Sequence, residues 1–445
     1  MADPEMSVTP YWELTFDADG DVDAGQRDRL AEGVGKREVR DLVVFAHGWN
    51  SDRSGATRLY SRFFAPFPAL APQARLGYVG VLWPSMRFSD EPIPDFKPAP
   101  PAVAPARGGP ALDKNTRHAL LEVFPGRATV VEQIARLLDQ RPDEGASLEE
   151  FGRLVRLLVE VPPQGPQGAF VADTLAAGVP AGDPEMLFGD TAVVCQEFAA
   201  ALAEIEGGGA TADPAAADGL LPEVWDGAHE LLRQATYFAM KRRAGTVGER
   251  GLGRFLGQLA RTAPEVRVHL VGHSFGGRLV SFALRGLPEG VRTVKSVTLL
   301  QAAFSHYAFA ARLPHDNRAS GVLHGQQKRV SGPLVCCHSR HDSALGTIYP
   351  LASRMAGDSR AVVGLSVNGL LGRKWGALGY DGVQAVKGTD TRKLADAFRT
   401  PLPTSGCVNI DVTAVVKRGG PPSGAHSDIC HRELAQVVLA AGRIA

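Results

Sequence analysis

Short apolar runs recur along the chain at residues 42–46, 77–83, 266–271, 297–300, 334–337 and 408–414, the run at 266–271 alternating with Arg267 and His269. Runs of this length predict strands, and the fully apolar 42–46 predicts one covered on both faces. A first strand is predicted at 11–16, where it meets the turn residues Asp17-Ala18-Asp19-Gly20. Helical periodicity fills many of the intervals, at 56–64, 224–243, 251–261, 278–287, 391–399 and 430–441. Strands alternating with helices imply an α/β architecture: a mostly parallel central sheet flanked by helices on both faces.

One interval breaks this rhythm. From Pro84 to about Leu221 no strand is predicted. A proline-rich stretch runs from Glu91-Pro92-Ile93-Pro94 to Gly109-Pro110, helical patterns follow at 112–123, 128–139, 147–159 and 191–205, and residues 207–218 read as a Gly/Ala/Asp linker. The expected organisation is therefore a core built from 1–85 and 222–445, with a helical, cap-like insertion at 86–221. A second, glycine-rich segment at 362–387, carrying Trp375 and Tyr380, falls between late strands and is expected near the mouth of a pocket.

Composition narrows the class. The 445 residues carry 48 Lys and Arg against 48 Asp and Glu, so no global charge draws the chain to nucleic acid or an anionic membrane. No stretch is long and apolar enough for an integral membrane segment, and residues 1–12 do not read as a secretory signal. Five cysteines (Cys195, Cys336, Cys337, Cys407, Cys430), two of them adjacent in an apparent strand, make a poor disulfide framework, and none has zinc-site spacing. A cytoplasmic protein with reduced thiols and no metal or cofactor is the expectation.

The informative chemistry lies at 266–286. The apolar run ending at Val271 feeds directly into Gly272-His273-Ser274-Phe275-Gly276, and a helical pattern follows without a linker. A serine at the tip of a strand–turn–helix is the context in which G-x-S-x-G has meaning; the bare pattern is frequent in a chain with 50 glycines. Gly272 and Gly276 allow the strand and helix to approach closely, and the new helix N-terminus faces a developing oxyanion.

A serine hydroxyl needs a base, and an imidazole needs a carboxylate to fix its tautomer. His426 lies in Gly419-Gly420-Pro421-Pro422-Ser423-Gly424-Ala425-His426, a loop between the last strand and the last helix; His431, within the helical pattern, reads as structural. Asp342 follows the 334–337 strand and is the expected acid, with Asp316 as its rival. His338 and His341 precede it and could suggest a metal pair, but a third ligand is not evident. The early strand ends in Ala46-His47-Gly48-Trp49. There the amide of Trp49 is expected to join that of Phe275 as an oxyanion donor, with Trp49 as ordinary core the alternative. His47 supports this loop by hydrogen bonding, and His47, Gly48 and His273 are assigned to the substrate-binding wall.

These residues together resemble the α/β-hydrolase superfamily, near its lipase and esterase branches: His47-Gly48-Trp49, Gly272-His273-Ser274-Phe275-Gly276, Asp342 and His426, in that chain order. The resemblance covers about 40–85 and 225–445. It implies a serine hydrolase acting on a small-molecule or lipid-like ester through an acyl-enzyme. A thioesterase or amidase with the same residues, and a binding or scaffold protein with a relic constellation, are the alternatives. Oligomeric state is not legible.

Overall fold

The computed structural model describes residues 6–49, 51–86, 88, 111–159, 168–176, 179–180, 187–205, 222–348, 376–420 and 424–445. Its strands in chain order are β1 (Tyr11–Thr15), β2 (Asp41–Ala46), β3 (Leu76–Leu82), β4 (Thr174–Ala176), β5 (Val179–Pro180), β6 (Arg267–His273), β7 (Val294–Leu300), β8 (Ala319–Gly321), β9 (Pro333–His338), β10 (Asp390–Lys393) and β11 (Gly406–Asp411). Eight of them form the central sheet in the order β1-β3-β2-β6-β7-β9-β11-β10, and every pairing in it is parallel.

The helices are α1 (Ala24–Lys36), α2 (Arg53–Phe64), α3 (Phe67–Leu70), α4 (Lys114–Val123), α5 (Ala128–Gln140), α6 (Gly145–Val159), α7 (Gly168–Val171), α8 (Thr191–Ile205), α9 (Pro222–Thr246), α10 (Arg254–Thr262), α11 (Phe275–Gly286), α12 (Leu378–Asp381), α13 (Leu394–Arg399) and α14 (Arg432–Gly442). A π-helical turn, Val247–Gly253, joins α9 to α10.

Side-chain alternation along the strands divides the core in two. On β2, Leu42, Val44 and Ala46 face a cluster with α1, α9, α10 and α11, while Val43 and Phe45 face another with α2, α3, α13 and α14. Each large apolar side chain so covered contributes about 1.5–3 kcal/mol. Apolar residues of the 86–221 region, among them Leu120, Ile134, Phe151 and Phe198, belong to the first cluster, continuous with the sheet.

Three readings of the sequence change. The helix expected over 391–399 is a strand, β10, followed by α13; β10 is polar throughout and sits at the sheet edge, where one unpaired side tolerates such a sequence. The interval 84–221 does hold strands: β5 pairs with β4, and β4 with β8, in a small antiparallel sheet, and two or three residues are too few for a visible period. Helix α1 escapes notice because only Leu30 and Val34 of its 13 residues are buried. The stretches at 91–110 and 207–218, Trp375 and most of the 362–387 segment lie outside the described residues. None of the five cysteines is in a disulfide, and four are buried. Among the described residues no helix is long and apolar enough to cross a membrane.

The sheet order fixes where a site belongs. From β2 the chain steps to β3 on one side, and it later enters β6 on the other, so strand order reverses between β2 and β6. In open parallel sheets the crevice at the carboxyl ends beside such a reversal is the binding position. Those two ends carry His47-Gly48-Trp49 and Ser274.

Candidate active site

Ser274 joins β6 directly to α11 with φ 54° and ψ −122°, a left-handed backbone that only strong local bonding holds in a non-glycine residue. Its N–H donates to Leu300 O at 3.1 Å, and its carbonyl accepts from the N–H groups of Gly277 (3.0 Å) and Ala303 (3.2 Å). The turn closes tightly enough that a Cβ on Gly276 would drive into the carbonyl of Ala46. Phe275 then opens α11, where the first amides have no acceptor within the helix and carry its positive dipole end.

His426, between β11 and α14, reaches this serine: its Nε2 is 2.9 Å from Ser274 Oγ, and its Nδ1 is 2.7 Å from Asp342 Oδ2. The carboxylate can only accept, so Nδ1 carries the proton and the Nε2 lone pair faces the serine hydroxyl. Asp342 follows β9 and is 0% exposed; its other oxygen accepts from the Leu345 N–H at 3.0 Å. Burial raises its pKa above the ordinary carboxylate value, and the charge and hydrogen bond of His426 counteract part of that rise. The two loops are tied at the main chain, Ala425 N–H donating to His341 O at 2.8 Å. Ser274 itself is only 6% exposed.

The loop after β2 lies against the serine. A Cβ on Gly48 would stand 2.7 Å from Ser274 Cβ, so only glycine allows this approach. His47 is buried; its ring stacks on Trp83, its Nδ1–H donates to Gly48 O at 2.8 Å, and burial lowers its pKa to about 4. Its N–H donates to the Tyr60 hydroxyl, and its carbonyl accepts from the Trp83 indole, both at 3.0 Å. Trp49 is half-buried, edge-on to Tyr237 and tilted against Phe275, and its indole N–H has no partner among the described residues. His273 is buried, with Nε2 donating to the main-chain carbonyl of His426 at 2.8 Å.

Other candidates lie apart from this chain of bonds. Asp316 accepts from Arg318 N–H within its own turn, and His431 stands at the start of α14, its Nε2 2.9 Å from Asp428. His341 is exposed. Among the described residues no three His, Cys, Asp or Glu side chains gather as a metal site.

A second Ser–His–Asp line exists and shows what residue types alone cannot establish. His269 in β6 holds Asp41 through Nε2 and Ser296 through Nδ1, both at 2.9 Å, at the opposite end of the sheet. All three residues are buried and Arg267 also engages Asp41 at 2.6 Å, so this is a polar brace across β2, β6 and β7.

Two features had no sequence signal. Arg278, one helical turn beyond Ser274 and fully buried, pairs with Asp173 and donates to the carbonyls of Phe170, Val171, Ala172 and Lys241; Lys241 Nζ reaches the same carboxylate at 2.8 Å. This ties the segment around α7 to the helix that starts at the serine. Gln301, beside Ser274 on the next strand end, is the other. No family model, characterised protein or solved structure matches the chain.

Proposed function

We propose that the protein is a serine hydrolase with an α/β-hydrolase type of core, cleaving a carboxylic ester through Ser274, His426 and Asp342. The observation that carries this reading is the continuous bonding from Ser274 Oγ through His426 to Asp342, set at the sheet's reversal point with Gly48 pressed against the serine. The buried brace at His269 has the same residue types but neither the strand-to-helix turn nor an adjoining helix N-terminus.

In the proposed mechanism His426 Nε2 takes the Ser274 proton as Oγ bonds to the ester carbonyl carbon. The carbonyl π pair moves to oxygen, and the amides of Phe275 and Trp49 stabilise that oxyanion, each such donor contributing about 10²–10³-fold. The C–O bond to the alcohol then breaks, and the imidazolium protonates the leaving alkoxide. Water, deprotonated by the same nitrogen, attacks the acyl group; collapse of the second tetrahedral species releases the acid and returns the proton to Oγ. Asp342 holds the required tautomer throughout and stabilises the imidazolium. His47 holds the oxyanion loop, and Trp49, Tyr237, Phe275 and Phe88 supply an aromatic wall suited to an apolar small-molecule or lipid-like ester. The 86–221 region, acting as a cap, would shape that wall.

Turnover of p-nitrophenyl butyrate by the purified protein tests the reading. Ser274→Ala should abolish it with an unchanged unfolding midpoint; retained turnover in that variant overturns the assignment.

A further inference from the structure

Six non-glycine residues among those described have left-handed backbones: Glu38, Arg141, Ser274, Gln301, Ala385 and Arg443. Four are exposed, in turns or at helix ends where this conformation is ordinary. Only Ser274 and Gln301 are buried, and they are neighbours. His273 pairs with Leu300 across β6 and β7, so one step further on Ser274 lies beside Gln301 at the same carboxyl edge. The bonds from Ser274 N–H to Leu300 O and from Ala303 N–H to Ser274 O bracket Gln301 on both sides.

Gln301 carries a second anomaly. It is 0% exposed, yet neither its amide oxygen nor its amide nitrogen has a hydrogen-bond partner among the described residues. Asn409, in β11 two strands away, shows a buried amide fully satisfied: it accepts from Val383 N–H at 2.8 Å and donates to Val383 O at 3.0 Å. A strained backbone and an unmet polar group both oppose stability, and their coincidence beside one residue of a site is the mark of a group kept for a ligand.

We propose that the Gln301 side-chain amide is a specificity-determining group that hydrogen-bonds a hydroxyl or amide of the substrate within a few bonds of the scissile carbonyl. The proposal rests on the serine-hydrolase reading above and narrows its substrate class to esters bearing such a polar group. The depth of Gln301 is no obstacle in itself, because Ser274, the proposed nucleophile, is covered almost as completely. Gln301 acts by binding; no proton passes through it. A site built around a polar partner rejects the analogue lacking it far more sharply than an apolar wall rejects an added hydroxyl.

The test compares the parent protein with Gln301→Met, which keeps the side-chain length and removes both polar atoms. Two matched pairs are assayed: ethyl butyrate with 2-hydroxyethyl butyrate for the alcohol side, and p-nitrophenyl pentanoate with p-nitrophenyl N-acetylglycinate for the acyl side. In at least one pair the parent should favour the polar ester in kcat/KM by on the order of 10- to 100-fold. Gln301→Met should lose that preference, react with a simple alkyl fluorophosphonate as fast as the parent, and unfold at the same or a higher temperature. No preference in the parent, a preference that survives the substitution, or a clear fall in unfolding temperature overturns the proposal alone. A parent protein inert to both esters and fluorophosphonate overturns the hydrolase reading, and this proposal with it.

Discussion

His273 Nε2 donates to the main-chain carbonyl of His426 across 2.8 Å, so the residue before the proposed nucleophile holds the loop that carries its proposed base. The two imidazoles are 5.1 Å apart. Burial, reinforced by His426, lowers the His273 pKa to about 3, which keeps it neutral. Neutrality matters to the proposed mechanism, since a second cation at this distance would oppose the imidazolium it requires on His426.

His273→Phe should therefore lower kcat on the order of 10- to 100-fold with KM little changed, as expected when a buried carbonyl loses its donor and the base is less well placed. His273→Asn, which restores an N–H, should recover part of the loss. Steady-state kinetics on one chromogenic ester, with circular dichroism to confirm folding, checks both.

Asp342→Asn preserves shape and the bond from Leu345 but offers the imidazole a donor where it needs an acceptor. The favoured tautomer then presents the wrong nitrogen state to Ser274. A fall in kcat of about 10³–10⁴-fold is expected, with an unfolding midpoint close to the parent's.

The central sheet was legible because each of its inner strands carries a short apolar run, and Ser274, His426 and Asp342 because each lies in a turn or loop after a strand. The polar edge strand β10 and the two short strands of the insertion were not, since neither composition nor period marks them. Gln301, Asp173 and Arg278 escaped for another reason. Their meaning lies in partners 105 residues apart for Arg278 and Asp173, or in a backbone angle, and a linear pattern carries neither. His273 was read as part of the substrate wall, whereas its contact with the His426 carbonyl depends on a loop 153 residues away.

Stability should fall steeply on mild acidification. His47 and His273 are neutral in the fold, with pKa values lowered to about 4 and about 3, and burial lowers that of His269 as well. Each titrates near 6.5 when unfolded, so between about pH 6.5 and 4 the unfolded chain binds protons that the native one does not. Each contributes a slope of up to ~1.4 kcal/mol per pH unit, with stability greatest above 6.5 and lost as pH drops. Asp41, lowered by His269 and Arg267 despite burial, adds to the loss below about pH 4, whereas Asp342, raised by burial, opposes it. Urea unfolding at pH 7.5, 6 and 5 measures the slope.

Asp173→Asn should destabilise the protein by about 3–5 kcal/mol, because Arg278 and Lys241 then remain buried without their shared carboxylate. Burial already lowers the Lys241 pKa, so this variant should also release a proton from Lys241 more readily. Replacing Arg278 as well with an apolar residue should cost more than the single change, because Lys241 stays unpaired and the carbonyls of Phe170, Val171, Ala172 and Lys241 lose their donor. Denaturant midpoints for the three proteins decide it.

The central claim is that His426 and Asp342 activate Ser274. Incubation of the intact protein with a fluorophosphonate, followed by peptide mass mapping, tests it most directly. Stoichiometric modification at Ser274, lost in Ser274→Ala and slowed by at least 10²-fold in His426→Ala, is the predicted result. An unmodified Ser274, or modification at equal rate without His426, would contradict it.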